Sequence, residues 1–166
     1  FHRDTRYLSR YELTLGGRGP LVLMSSAARG TQAIHQLTNN EIVQTDGKSM
    51  APQCFGLRLD RTVAGNTLEL ADRIEIRNFA LTQIRFELAV TIDALFEDIF
   101  ELRGAEPKSR GPLRTVETRD DGLTFRYIGA DAVERRLTVM LDRAATITVH
   151  GGARLHGCLV KTRPFL

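Results

Sequence analysis

The feature that most constrains the fold of this chain is an alternation of apolar and polar residues with a period of two. It is clearest in residues 82–93, TQIRFELAVTID, where the apolar residues are Ile84, Phe86, Leu88, Val90 and Ile92. These side chains share one face of an extended strand and polar ones share the other, which is typical of a half-buried antiparallel strand. The same pattern recurs in residues 11–15, 55–59, 123–127, 137–141 and 147–149. Many short strands of this kind predict an all-β fold.

Turn signals separate these segments and indicate that successive strands are neighbours. Asp121-Gly122 is the strongest candidate for a tight hairpin turn, because both central positions of such a turn take a positive φ. Residues 104–112 have no apolar period and are predicted to form a surface loop. We therefore predict a large antiparallel β-sandwich of two sheets, formed by a single domain that spans residues 1–166.

The period changes at one place, residues 94–101. Leu95, Phe96, Ile99 and Phe100 recur there at three- and four-residue spacing, which would put them on one face of a short helix. We predict one short helical turn at the end of the sandwich. Phe96, Ile99 and Phe100 are expected to anchor this turn in the core.

The composition is that of an ordinary folded domain. With 166 residues, 42% of them hydrophobic, the chain can bury a core without disulfides or metals. No apolar run approaches the roughly 20 residues of a membrane-spanning helix. The net charge is +3, but all but three of the 23 basic residues are arginines scattered among acidic residues. We therefore expect neither a membrane nor a nucleic-acid partner, since a nucleic-acid interface would concentrate its positive charge.

Histidines and cysteines give no sign of a metal or cofactor. The four histidines do not have metal-ligand spacing with a carboxylate or a cysteine, and the two cysteines, Cys54 and Cys158, lie far apart. The sequence therefore predicts no metal site and no cofactor.

Three segments of the chain resemble one known family. They are FHRDTRYLSRYEL at residues 1–13, RIEIRNF at residues 73–79 and DALFEDIFELRG at residues 93–104. They resemble, in the same order, an Asp-Thr-Arg-Tyr/Phe-Leu-Ser strand, an Arg-Leu-x-Leu-x-Asn-Tyr strand end and an Asp-Phe-x-Asp-Ile/Leu-Phe-Glu-Val-Arg-Gly turn. These are motifs of the N-terminal domain of bacterial and archaeal glycogen-debranching enzymes of the amylo-α-1,6-glucosidase type. The chain departs from the family at Leu95-Phe96-Glu97, where Asp-Phe-Ala-type residues are usual.

The resemblance implies a supporting role in a larger enzyme. It implies a non-catalytic domain that packs on a C-terminal helical-barrel catalytic domain of the same polypeptide and helps to shape its glycan site. The parent would be a cytoplasmic glycoside hydrolase acting on α-1,6 branch points of an α-glucan. Its catalytic carboxylates would lie downstream of residues 1–166, so these residues alone are expected to have no activity.

An acidic cluster, Asp93, Glu97, Asp98 and Glu101, raises the question of catalysis within the chain itself. A glycosidase needs two carboxylates that face each other across the scissile bond. Neighbours on one helical turn point outward together, so we interpret this cluster as a capped, solvated turn with Arg103 as its counter-charge. No catalytic residue is predicted.

Five residues are candidates for a domain interface or the rim of a glycan site, namely Asp4, Arg6, Tyr7, Asp98 and Arg103. Asp4 and Arg6 flank Thr5 and would share one face of a strand. They could form an exposed ion pair on an edge strand, or a pair that faces another domain. The resemblance favours the second interpretation. Tyr7 is a candidate for glycan contact.

Two alternative functions fit an isolated β-sandwich. One is a free-standing carbohydrate-binding module, which would bind glycogen or maltooligosaccharides. The other is a small mutarotase-like sugar epimerase, which would need a histidine and a carboxylate that converge in a cleft.

Overall fold

The structure is a computed structural model that describes residues 1–28, 30–44, 46–105, 113–142, 146–149 and 153–162. Within these residues the chain forms fifteen β-strands and one α-helix, α1 (Ile99–Leu102). The strands are β1 (Thr5–Arg6), β2 (Arg10–Leu15), β3 (Leu21–Ala28), β4 (Gln32–Thr38), β5 (Ile42–Val43), β6 (Ser49–Met50), β7 (Phe55–Ala64), β8 (Glu69–Asn78), β9 (Ile84–Asp93), β10 (Glu97–Asp98), β11 (Leu113–Arg119), β12 (Gly122–Ile128), β13 (Glu134–Met140), β14 (Thr146–Val149) and β15 (Ala153–Thr162). The predicted all-β fold with one short helix is confirmed. Most of the predicted loop at 104–112 lies outside the described residues.

The strands of the described chain are arranged in several sheets. Two sheets have four strands, in the orders β3-β4-β7-β8 and β14-β15-β9-β2, and a third has the order β11-β12-β13. β1 pairs with β10, and β5 pairs with β6. Neighbouring strands of the first sheet pair antiparallel, as do those of the three-stranded sheet. The prediction that sequential strands are antiparallel neighbours is therefore confirmed for the three-stranded sheet and for the pairs β3–β4 and β7–β8, whereas β4 pairs with β7, which is not next to it in sequence.

The contacts of the chain divide it into two compact units. The first comprises Phe1–Glu12 and Ala89–Cys158, and the second comprises Leu13–Leu88 and Leu159–Leu166. The predicted alternation along β9 breaks at the boundary between these units, at Leu88 and Ala89. Leu88 and Val90, predicted on the buried face, are only half-buried, whereas Ala89 between them is 1% exposed.

The core of the first unit is small and mostly apolar. A cluster of buried apolar residues within it comprises Ile92, Ala94, Phe96, Leu123 and Phe125. Half-buried apolar residues of β12 and β13 pack against them, and β13 alternates exposed and half-buried residues along its whole length. The alternation therefore correctly predicted which side chains of β13 face the core.

The core of the second unit is built around two aromatic rings. Phe55 and Phe86 are both fully buried and stack with ring centroids 4.4 Å apart and an interplanar angle of 12°. Leu57 and Leu59 extend this core along β7, with 2% and 6% of their surfaces exposed. Both lie at positions where the alternation predicted inward-facing side chains.

Two buried asparagines fix the connections of the second unit. Asn39 is fully buried; its amide nitrogen donates to the carbonyl of Ala51 at 2.7 Å, and its oxygen accepts from the amide of Cys54 at 2.9 Å. Asn78, at the end of β8, donates to the carbonyl of Thr82 and accepts from the amide of Ala80, both at 2.9 Å. Each side-chain amide forms hydrogen bonds with backbone groups outside the strands, so its polar atoms are paired although it is buried.

The hairpin between β11 and β12 forms, but its turn is shifted by one residue. Arg119 pairs with Gly122, so the loop residues are Asp120 and Asp121, and neither has a positive φ. The prediction of an Asp121-Gly122 turn is therefore wrong. Gly122 is required for space instead, because a Cβ there would overlap the carbonyl of Val139 on the neighbouring strand.

The helix is also shorter than predicted, and its anchors differ. It begins at Ile99 rather than at Ala94, and it contains no buried residue. Phe96 lies before the helix and is buried as predicted, but Phe100 is 64% exposed, so its assignment to the core is wrong. Ile99 is half-buried. The three- and four-residue spacing predicted a helix from Ala94, but Glu97 and Asp98 are extended in β10, so the helix begins only at Ile99.

Candidate functional site

The first and the third of the segments that carry the family resemblance, residues 1–13 and 93–104, pair directly with each other. β1 and β10 form an antiparallel ladder in which Thr5 lies opposite Asp98 and Arg6 lies opposite Glu97. We call residues 1–8 together with residues 93–104 the β1–β10 junction. It lies entirely within the first unit. Two motifs far apart in the sequence therefore form one local structure.

A tight turn precedes β1 and contains Asp4. The backbones of His2 and Thr5 exchange two hydrogen bonds of 3.0 Å, and the intervening Arg3 and Asp4 have φ values of 46° and 59°. Positive φ at both central positions is the pattern of a type I′ turn, which suits a short hairpin. Asp4 therefore lies in a turn rather than on the strand with Arg6. Its side chain is exposed, and its carbonyl accepts from the amide of Ile99 at 2.9 Å.

Arg6 has its ionic partner within the junction. Its guanidinium donates to the carboxylate of Glu97, directly across the ladder. The two side chains are 29% and 17% exposed, so the pair is partly withdrawn from water. Among the described residues, the Nε of Arg6 is a buried donor without a hydrogen-bond partner. The expected pairing of Arg6 with Asp4 is replaced by a pairing between the two motifs.

Phe96 is the central side chain of the junction. Its ring lies 5.5 Å from that of Tyr7, nearly perpendicular at 76°, and 5.5 Å from that of Tyr127, nearly parallel at 10°. It is 4% exposed, yet its φ is 54°. A bulky residue rarely adopts this conformation, which costs on the order of 1–3 kcal/mol and persists only when the surroundings enforce it. The aromatic packing and the adjacent ladder provide that enforcement.

Asp98 caps the helix that follows. Its carboxylate accepts from the amides of Phe100 at 2.7 Å and Glu101 at 2.8 Å, and the Glu101 carboxylate accepts from the Asp98 amide at 3.2 Å. This reciprocal arrangement is a capping box. Arg103 forms the other end of the helix through its backbone, which donates to the Phe100 carbonyl at 3.0 Å, and its side chain is exposed.

An arginine outside the motifs forms an ion pair elsewhere in the first unit. Arg135 binds Asp131 through two hydrogen bonds, of 3.1 and 2.9 Å. The hydrogen bonds from Arg135, with a further one from the Val133 amide, lower the pKa of Asp131 to about 2. Asp131 in turn raises the pKa of Arg135.

The acidic cluster is engaged in structural contacts. Glu97 pairs with Arg6, Asp98 and Glu101 form the capping box, and Asp93 accepts from the amide of Ala94 at 2.9 Å. The prediction of a capped turn is confirmed, although Arg103 forms no ion pair with the cluster among the described residues. In that same part of the chain, no group of three or more His, Cys, Asp or Glu side chains could hold a metal ion.

All five candidate residues, including Asp4 in the turn before β1, lie in the junction, but sequence reasoning missed several of their partners. Tyr7, Arg6 and Asp98 lie in the junction, as does Arg103 at its end. The role of Phe96 between two tyrosines was missed, as was the Arg135–Asp131 pair. The position of Phe96 at the centre of the DALFEDIF motif could have indicated its role. No such signal exists for Arg135, because none of the three motif segments contains it.

Comparison with known proteins identifies the family. A model of the N-terminal domain of some glycogen debranching enzymes matches residues 1–159, a span that includes all three motif segments. Comparisons with curated proteins and with solved structures gave no match. The four-residue helix, which is the one helix of the described chain, is far too short to cross a bilayer. The chain therefore belongs to the family of N-terminal domains of glycogen debranching enzymes.

Proposed function

We propose that this domain packs against the catalytic domain of an amylo-α-1,6-glucosidase-type debranching enzyme, and that the β1–β10 junction forms the contact. The observation that carries the proposal is the exposure of Phe100. This large aromatic side chain, 64% exposed, lies within the DALFEDIF motif on a short helix whose backbone is firmly held.

The backbone beneath Phe100 is fixed from both directions. The capping box holds the first turn, and the carbonyl of Phe100 accepts from the amides of Arg103 and Ala105 at 3.0 Å. The buried ring of Phe96 and the β1–β10 ladder hold the preceding residues. A side chain presented from such a backbone loses little additional freedom on binding, which favours docking.

The surroundings of Phe100 suit a protein interface. Aromatic residues are enriched among the side chains that dominate interface energies, particularly where a polar rim surrounds them. Leu102, 37% exposed, lies two residues away, and the exposed Asp4, Asp98 and Arg103 supply polar groups in the same junction. In this proposal Phe100 is the anchor and these polar residues form the rim.

The proposed contribution to the glycan site is indirect. Tyr7 packs edge-on against Phe96 and is half-buried, so it supports the junction backbone. By docking through a rigid junction, the domain would hold the neighbouring wall of the α-glucan site in place. Acid and base chemistry stays with the catalytic domain.

The experiment is a comparison of Phe100→Ala with Met140→Ala in the full-length enzyme. Met140, 79% exposed, is an apolar residue of the same unit outside the junction. We expect Phe100→Ala to lower kcat/KM on a branched dextrin by about tenfold or more, because truncating a docking anchor costs roughly 2 kcal/mol. It should also accelerate proteolytic release of the domain.

Met140→Ala should leave both measurements near the parental values. Equal effects of the two variants, or no effect of Phe100→Ala, would contradict docking through the junction. Binding of maltooligosaccharides by the 166-residue chain, abolished by Phe100→Ala, would instead support the carbohydrate-binding module.

A further inference from the structure

β3 is an edge strand of its sheet within the part of the chain that the structure describes. It is the end strand in the order β3-β4-β7-β8 and is eight residues long. Its first four residues are all apolar and exposed: Leu21 37%, Val22 65%, Leu23 62% and Met24 43%. None of its eight residues, LVLMSSAA, is charged. Unpaired backbone groups beside exposed apolar side chains favour pairing with another strand.

The opposite edge of the same sheet is protected by charge. β8 carries Glu69, Asp72, Arg73, Glu75 and Arg77 among its ten residues. Charged side chains along an edge oppose the addition of a further strand. The sheet is therefore asymmetric, because charges along β8 oppose the addition of a strand and β3 carries no charge to oppose it. A register shift at Val22/Met24 is the one irregularity in the β3–β4 pairing.

We propose that β3 receives an extended segment from the rest of the enzyme polypeptide, which adds to this sheet as a fifth strand. The proposal rests on the proposed function only in requiring that the domain belongs to a longer chain. The occupant is expected to be uncharged, since β3 offers no charge for it to pair with. It should carry small residues opposite Val22–Met24 and larger ones opposite Ser25–Ala27, where the side chains of β3 are short.

The small size of the contact favours a tethered occupant over a second copy. Eight residues span about 27 Å, so a strip about 10 Å wide would bury roughly 270 Å² per partner. A stable interface between separate proteins buries about 800 Å² per partner. A segment of the same polypeptide needs less, because its tether supplies a high effective concentration.

The test compares amide hydrogen exchange at β3 in the full-length enzyme and in the 166-residue chain. Val22→Lys places a charge on the edge, and Val43→Lys is its matched control, since Val43 is 63% exposed in the same unit. We expect β3 amides to exchange about tenfold or more slowly in the full-length enzyme. Val22→Lys should remove that difference, and Val43→Lys should not.

Two outcomes would overturn the proposal. Equal exchange in both proteins would mean that nothing covers the edge. Protection that appears in the 166-residue chain and grows with its concentration would identify a second copy as the occupant. Failure of the β3 test would leave the Phe100 result intact, and failure of the Phe100 test would leave β3 protection intact, so the two proposals are distinguishable.

Discussion

Phe96 and Phe100 are four residues apart and have opposite environments. Phe96 is buried between two tyrosine rings, whereas Phe100 is mostly exposed. Phe96→Ala should therefore destabilise the 166-residue chain by about 3–5 kcal/mol, the usual cost of emptying a large aromatic site. Phe100→Ala should cost less than about 1 kcal/mol. Urea denaturation of both variants measures the difference, and comparable losses would refute the assignment.

The positive φ of Phe96 adds a sharper expectation. At most positions glycine is less stable than alanine by about 0.5–1 kcal/mol. At a φ of 54°, glycine avoids the steric cost that alanine retains. Phe96→Gly should therefore be at least as stable as Phe96→Ala in the same denaturation experiment. A glycine variant clearly less stable than the alanine variant would show that the backbone there is relaxed.

Asp131 links the stability of the domain to acidic pH. Hydrogen bonds from Arg135 and the Val133 amide lower its pKa from 3.8 to about 2. A depressed carboxyl pKa stabilises the fold above the unfolded value, and this contribution disappears as the pH falls through the folded value. Asp131→Asn should thus be less stable than the parent at pH 6, with the gap closing between pH 4 and about 2.

Thermal melts across that range would measure the gap for Asp131→Asn. Glu134 is a useful comparison, because hydrogen bonds from Arg136 and Arg126 also lower its pKa to about 2. Glu134→Gln should remove a separate part of the same acid dependence. A gap for Asp131→Asn that stays constant down to pH 2 would exclude the proposed linkage.

At the scale of elements, the β1–β10 ladder depends on the pair formed by Arg6 and Glu97. Removing one member leaves the other partly buried and uncompensated, which costs more than breaking an exposed pair. Arg6→Ala should destabilise the 166-residue chain by about 1–3 kcal/mol. Arg10, whose pair with Glu12 is 60% and 49% exposed, is the matched control, and Arg10→Ala should cost less than about 1 kcal/mol.

A double-mutant cycle of Arg6→Ala and Glu97→Ala isolates the interaction. If the pair is stabilising, the double variant should lose less stability than the sum of the losses in the two single variants. An additive result would show that the two charges contribute independently, and Arg6 would then be available to bind another domain.

About half of the longer strands were predictable from the alternation, whereas β3, β4 and β11 were not, and the junction was predictable only in part. Alternation correctly located β2, β7, β12 and most of β9, because burial of one face imposes a period of two. It misplaced the helix, since the spacing of Leu95, Phe96, Ile99 and Phe100 cannot reveal a positive φ at Phe96. The family resemblance identified the segments that contain β1 and β10, but no local sequence pattern predicted that these two strands would pair.

At the scale of the whole molecule, the 166-residue chain should have no glycosidase activity. The carboxylates of its acidic cluster hold an ion pair and a helix cap, which are roles that fix them in place. Incubation of the pure chain with branched dextrin should release no glucose. Sustained release abolished by Glu97→Gln would contradict this prediction and place catalysis in the junction.

The pairing of β1 with β10 has a consequence for the order of events during protein synthesis. Arg6 and Glu97 are separated by 91 positions, so β1 leaves the ribosome well before β10 has been synthesised. Until then the opening segment has no ladder to join, and bringing the ends together carries the entropy of closing a long loop. We therefore expect β1, although it is translated before β10, to reach its final position only after β10 has been made.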